Sequence, residues 1–88
     1  MIERQFIVAN KMGLHARPAA MFVQAASRYV CEVRVVKDDT QVNGKSVMGL
    51  MMLAAEHGST LTVRAWGLDE VKAMETIDKI FQQKFSEE

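Results

Sequence analysis

The stretch Gly13-Leu14-His15-Ala16-Arg17-Pro18-Ala19-Ala20 marks the start of the first predicted helix, and the other elements are placed around it. Pro18 is the single proline, and proline is favoured in the first turn of a helix, where its missing N–H costs nothing. No Ser, Thr, Asp or Asn occupies positions 14–16, so no good N-cap side chain is available there. The sequence therefore predicts a helix over 16–27 whose first amides lack an acceptor, with His15 beside them.

His15 and Arg17 at this uncapped helix end form a candidate phosphoryl site. A histidine ring nitrogen can carry a phosphoryl group, and the N-terminus of a helix favours anions. The backbone N–H groups of Ala16 and Arg17 would donate to phosphate oxygens, and the Arg17 guanidinium would add charge and planar donors. From these residues alone the simpler alternative stays open: His15 is a poor cap and Arg17 is solvated surface.

Hydrophobic periodicity predicts four strands and two further helices around the first helix. Alternating residues indicate strands over 2–8, 32–37, 40–43 and 60–66, and a short helix over 47–53 follows Ser46. Asp69 is expected to cap the last helix, whose buried stripe is Val71, Met74, Ile77, Phe81 and Phe85. The order β-α-β-β-α-β-α predicts an α+β fold, an open-faced β-sandwich with a four-stranded antiparallel sheet covered on one face by three helices.

Composition narrows the function classes further. The 88 residues suit a single domain over 1–88, and the eleven basic and eleven acidic residues cancel. A net charge of zero argues against binding nucleic acid, and the lack of paired aromatics on adjacent strands argues against a small RNA-binding domain. The single Cys31, the absence of an apolar signal region and the absence of a membrane-spanning run favour a cytoplasmic protein.

A second motif, Asn43-Gly44-Lys45-Ser46-Val47-Met48-Gly49-Leu50-Met51, begins the short helix. Ser46 is a good N-cap, which is enough to explain it, but a phosphate on this serine would also be tolerated at a helix N-terminus. Exposed Met48 and Met51, with Val47, would suit a surface that meets several partners, because methionine adapts its shape. Met52 is expected to face the core instead.

Both motifs, together with the chain length and element order, resemble the HPr family, the histidine-containing phosphocarriers of the bacterial phosphoenolpyruvate:sugar phosphotransferase system. The resemblance implies that His15 accepts a phosphoryl group on Nδ1 from phospho-enzyme I and passes it to an enzyme IIA domain, steadied by Arg17. It implies a carrier rather than an enzyme, without a cofactor or metal. It also implies a regulatory role for Ser46, with HPr kinase/phosphorylase as a possible partner, and a docking surface at Val47, Met48 and Met51.

Two alternatives stay open within this resemblance. The chain would serve the related nitrogen-linked phosphotransfer chain, whose carriers share the histidine motif, or it would act mainly as a regulatory module through phospho-Ser46. We expect a monomer. His57 is interpreted as a surface residue, Cys31 as a half-buried small residue, and Trp66 as partly exposed at the end of a strand.

Overall fold

The computed structural model describes residues 1–86 of the chain, and its elements follow the predicted order. The strands and helices are β1 (Ile2–Ile7), α1 (Ala16–Ala26), β2 (Glu32–Lys37), β3 (Thr40–Asn43), α2 (Val47–Met52), β4 (Thr60–Trp66) and α3 (Glu70–Gln82). A short turn over Lys84–Ser86 follows α3. The predicted bounds differ from these by one residue in β1, α1 and α2, as expected for element ends.

The four strands form one antiparallel sheet in the order β1-β4-β2-β3. Alternation along each strand places one set of side chains under the helices and leaves the other set on an open face. Phe6 of β1 lies opposite Leu61 of β4, and Val33 of β2 lies opposite Ala65; all four are buried. The predicted α+β open-faced sandwich is confirmed.

The helices pack together on this inner face. α3 contacts β1 and β4, α2 contacts β3, and α1 contacts both other helices. Phe81 of α3 stacks on Phe6 with ring centroids 4.4 Å apart, and it meets Phe22 of α1 and Phe85 edge to face. Phe85 lies beyond the end of α3, although the predicted stripe extended the helix that far, and its ring is nevertheless buried.

Asp69 occupies the N-cap position of α3, but the prediction that its side chain caps the helix is wrong. Its carboxylate instead accepts hydrogen bonds from the amides of Val30 (2.9 Å) and Cys31 (3.0 Å). These bonds, the one from Val30 above all, hold the pKa of Asp69 below its ordinary value. Asp69 therefore ties the start of α3 to the loop after α1 rather than to its own first turn.

Burial raises the pKa of the Cys31 thiol, and a hydrogen bond to Asp69 raises it further. Cys31 is only 2% exposed, so it is more deeply buried than predicted. A buried thiol held in its neutral form is a poor nucleophile, because the thiolate is the reactive species. Cys31 is thus a packing residue of the core.

Two apolar residues face solvent where the helical pattern placed them inward. Met52 of α2 is 77% exposed and Val71 of α3 is 55% exposed, so both predictions are wrong. In the six-residue α2, Leu50 is the buried residue, and Leu53 just after the helix fills the next core position. So short a helix presents too narrow a face to bury Met52 as well.

Candidate functional site at the start of α1

The loop before His15 is fixed by backbone hydrogen bonds. Asn10 donates its side-chain N–H to the Gly13 carbonyl, and the Gly13 amide donates back to the Asn10 carbonyl at 3.1 Å. The Leu14 amide donates to the Ala55 carbonyl at 2.8 Å. Gly13 has a φ of +72°, and a Cβ there would lie 2.5 Å from the Ala55 oxygen, so only glycine fits. This loop therefore sets the position of His15 independently of the His15 side chain.

His15 is the N-cap residue of α1, with extended backbone angles, and its side chain makes no capping hydrogen bond. Its carbonyl accepts the Ala19 amide at 3.0 Å, the first bond of the helix. His15, Ala16 and Arg17 are exposed, while Pro18 and Ala19 pack inward. The prediction of an uncapped helix end is confirmed, because the first amides of a helix have no partner within it.

The charges within the first turn of α1 favour an anion, although Glu56 lines the larger of two hollows beside His15. The first turn of α1 carries no acidic residue. Within residues 1–86, Arg17 makes no ion pair or side-chain hydrogen bond, so its guanidinium is available to an incoming ligand. A phosphoryl group on His15 would meet backbone donors, the positive end of the helix dipole and this cation.

Two open hollows flank His15. One, of about 530 Å³, is lined by residues that include Lys11, Met12, Met51 and His57. The other, of about 220 Å³, is lined by Arg17, Pro18 and Lys84 among others. His15 and Met12 line both. The site is therefore a shallow surface feature that a folded partner can reach, not a closed pocket for a small substrate.

Sequence reasoning missed two residues that line these hollows. His57 is exposed, as predicted, and it lines the larger hollow beside His15. Its loop is held next to the residue that follows β1. The Gly58 amide donates to the Val8 carbonyl at 2.7 Å, and the Val8 amide donates to the Ser59 carbonyl at 2.9 Å. Lys84 arrives from the other end of the chain. No local sequence signal marks either residue, because strand pairing and the packing of α3 place them.

Ser46 is the N-cap of α2, and its hydroxyl oxygen accepts a hydrogen bond from the Gly49 amide at 3.0 Å. The predicted capping role is thereby confirmed. Met48 is 76% exposed and Met51 is 45% exposed, while Val47 is half-buried against the core. Met51 lines the larger hollow beside His15, so α2 and the start of α1 share one surface.

Trp66 lies at the outer end of β4, 39% exposed, with the Arg34 guanidinium 6.0 Å from its ring centroid. This placement, opposite the face of Leu61 and Val63, is the predicted one. Across residues 1–86 no three His, Cys, Asp or Glu side chains come together as a metal site. In the same part of the chain no helix has the length and apolar character needed to cross a membrane.

Comparison with known proteins gives consistent matches over the chain. The family model described as "PTS HPr component phosphorylation site" matches residues 2–83. The phosphocarrier protein HPr of Treponema pallidum is 48% identical over the full length of both chains. The HPr-like protein Crh of Halalkalibacterium halodurans is 52% identical over 88% of this chain and 92% of that protein.

Solved structures agree with the sequence matches. The crystal structure of HPr-C-His from Thermoanaerobacter tengcongensis superposes with a TM-score of 0.96 and is 43% identical, covering 100% of this chain and 99% of that one. A crystal structure of an HPr dimer from the same organism gives a TM-score of 0.78 at 42% identity, with 97% and 98% of the two chains covered. The fold described above is therefore shared closely with solved relatives.

Proposed function

This chain belongs to the HPr family of phosphocarriers, and from that premise we propose that His15 accepts a phosphoryl group from phospho-enzyme I and donates it to an enzyme IIA domain. The pathway is the phosphoenolpyruvate-dependent sugar phosphotransferase system. The observation that carries the proposal is His15 at the N-cap of α1, exposed, with unpaired helix amides and Arg17 beside it.

The transfer is a displacement at phosphorus. The His15 Nδ1 lone pair forms the new N–P bond while the donor's bond to phosphorus breaks, and the donor keeps that bonding pair. The amides of Ala16 and Arg17 and the Arg17 guanidinium donate to the phosphoryl oxygens, which keep their charge throughout. Such a step needs positioning and charge stabilisation, and the partner proteins supply the rest.

Shallow geometry suits a carrier. The phosphoryl group must be accepted and then released, so binding it too tightly would slow the second transfer. An exposed site with one arginine among its donors, beside an adaptable surface of Val47, Met48 and Met51, allows two different partners to reach the same nitrogen. The proposed carrier is cytoplasmic and monomeric, uses no cofactor and performs no net reaction alone.

The direct test is incubation with phosphoenolpyruvate and enzyme I, followed by intact-protein mass spectrometry. We expect one phosphoryl group, labile in acid and stable in alkali, and its complete loss in His15→Ala. His57→Ala is the matched control, because it removes the other histidine beside the same hollow, and it should still acquire one phosphoryl group. A wild-type chain left unmodified by a competent enzyme I would exclude the proposal.

The second candidate function is that of a regulatory module that acts through phospho-Ser46, with an HPr kinase/phosphorylase as the enzyme that phosphorylates this serine. It is favoured by the similarity to Crh, described as the Bacillus subtilis catabolite repression HPr, which is 44% identical over 91% of this chain, and by the half-exposed serine at the start of α2. In a cell, Ser46→Asn should leave sugar uptake intact and abolish carbon-source control if this role is the main one. A role in the nitrogen-linked phosphotransfer chain is tested by comparing two rates of His15 phosphorylation, one with the enzyme I of the sugar system and one with the enzyme I of the nitrogen-linked chain. Faster phosphorylation by the second would assign the protein to the nitrogen-linked chain.

A further inference from the structure

The turn after α3 has an unusual backbone. Lys84, Phe85 and Ser86 have φ values of 51°, 54° and 54°, the left-handed region that favours glycine, and none of the three is glycine. Residues held in this region are strained and persist only where their surroundings hold them in place. A run of three such residues therefore requires an anchor.

Phe85 supplies that anchor. Its side chain is 3% exposed, and its ring lies 5.0 Å from the Phe81 ring at an interplanar angle of 74°. The Ser86 amide closes the turn by donating to the Gln83 carbonyl at 2.9 Å. With Phe85 buried, the turn directs the neighbouring Lys84 to the surface, where it lines the smaller hollow beside His15.

The charged side chains that line this hollow are all positive within residues 1–86. Besides His15 they are Arg17 and Lys84, and no acidic side chain of that part of the chain lines it. Across residues 1–86, Lys84 has no ion pair and no side-chain hydrogen bond. The hollow measures about 220 Å³, whereas a water molecule occupies about 30 Å³. It thus has room for a phosphoryl group and two cations facing it.

We propose that Lys84 is a second phosphoryl-binding cation of this site: its ammonium group binds the oxygens of the phosphoryl group on His15 from the hollow that Lys84 shares with Arg17. The inference rests on the proposed function and names a residue that serves it. Lysine suits the role as a compact point charge on a flexible stem, which can follow the phosphoryl group without fixing its orientation.

Lys84→Met in the full chain is the test variant, because it removes the charge and keeps the stem. Inorganic phosphate is titrated into the unphosphorylated protein and followed by the amide resonances of Ala16 and Arg17. Affinity for phosphate should fall about two- to fivefold, the range of an exposed ion pair, and Lys84→Arg should restore it. Lys79→Met is the matched control, an exposed lysine of α3 outside both hollows, and should bind phosphate as wild type does.

A second readout uses the phosphorylated protein. Because a nearby cation favours the dianionic phosphoryl group, the ³¹P resonance of phospho-His15 should titrate at a higher pH in Lys84→Met than in wild type. This difference should shrink in high salt, where exposed charges are screened. A merely structural role for Lys84 would change neither the ³¹P titration nor its salt dependence.

Two results are distinguishable. If Lys84→Met is phosphorylated normally and matches wild type in both phosphate affinity and ³¹P titration, the role of Lys84 is overturned and the carrier function stands. If the wild-type chain is not phosphorylated by any enzyme I, the carrier function fails. In that case the phosphate titration still decides whether Lys84 and the start of α1 form one anion site.

Discussion

At the scale of single residues, His15 and Asp69 show how far an N-cap position can be predicted. Both occupy N-cap positions, and neither side chain caps its helix. For His15 this followed from the residue types nearby, since no capping side chain was available. Asp69 is a good capping residue by type, but its carboxylate accepts hydrogen bonds from the amides of Val30 and Cys31, which lie 39 and 38 residues earlier in the chain. A suitable residue type at the N-cap position therefore does not by itself ensure a side-chain cap, because a distant segment can bind the same side chain.

Asp69→Asn should lower the stability of the fold at neutral pH. The pKa of Asp69 is held below its ordinary value of 3.8, so its carboxylate contributes stability above that pH and loses it as the pH falls through the lower folded value. Urea unfolding of wild type and variant should therefore differ at pH 7, and the difference should begin to shrink below about pH 4 and vanish once the pH is below the lowered pKa of Asp69. Asp39→Asn in the exposed β2–β3 turn is the control, and an equal pH dependence of both differences would contradict the assignment.

At the scale of elements, the strands and the two longer helices were predictable because their periodicity extends over enough residues to define a face. The position of α2 in the chain was predictable, but the face that it buries was not. Its N-cap, Ser46, was identified from the sequence, whereas the exposure of Met52 was not, because six residues do not define a buried stripe. The start of a short helix is thus easier to predict than its inner face.

Ser46→Ala should cost about 1 kcal/mol of unfolding free energy, since it removes the acceptor for the Gly49 amide. Ser46→Asn should stay close to wild type, because asparagine is an equally good N-cap and likewise lacks the hydroxyl group that a kinase needs. Urea denaturation of the three proteins measures both. A loss of carbon-source control in Ser46→Asn then reflects the missing phosphoryl acceptor, whereas equal destabilisation of both variants would refute the capping account.

At the scale of the whole molecule, Phe81 joins three parts of the fold through its contacts with Phe6 of β1, Phe22 of α1 and Phe85 of the last turn. Phe81→Ala should cost about 3 to 5 kcal/mol, the usual range for deleting a buried phenyl ring. Val71→Ala on the exposed side of the same helix should change stability by less than about 0.5 kcal/mol. Thermal and urea unfolding compare the two, and similar losses in both variants would contradict the central role of the aromatic cluster, since alanine raises helix propensity at both positions.

The sequence pattern did not predict which residues from distant parts of the chain lie near His15. The order of elements followed from periodicity, and the fold class followed from that order. The positions of His57 and Lys84 depend on which strands pair and on how α3 crosses the sheet, and neither residue has a local pattern that reveals it. The candidate phosphoryl acceptor, His15, was therefore predictable from its own neighbours, whereas the groups around it required the tertiary structure.

The strand order has a consequence for synthesis on the ribosome. β4 lies between β1 and β2, so both depend on a strand whose first residue, Thr60, pairs with Ile7. At ordinary elongation rates of about 5 to 20 residues per second, β1 waits about 3 to 10 s for its partner to be translated. During that interval β1 has no strand to pair with, and Phe6 lacks Leu61, the residue that it faces in the finished sheet. The sheet can therefore be completed only late in translation, because β4, which joins β1 to β2, is the last strand to be made.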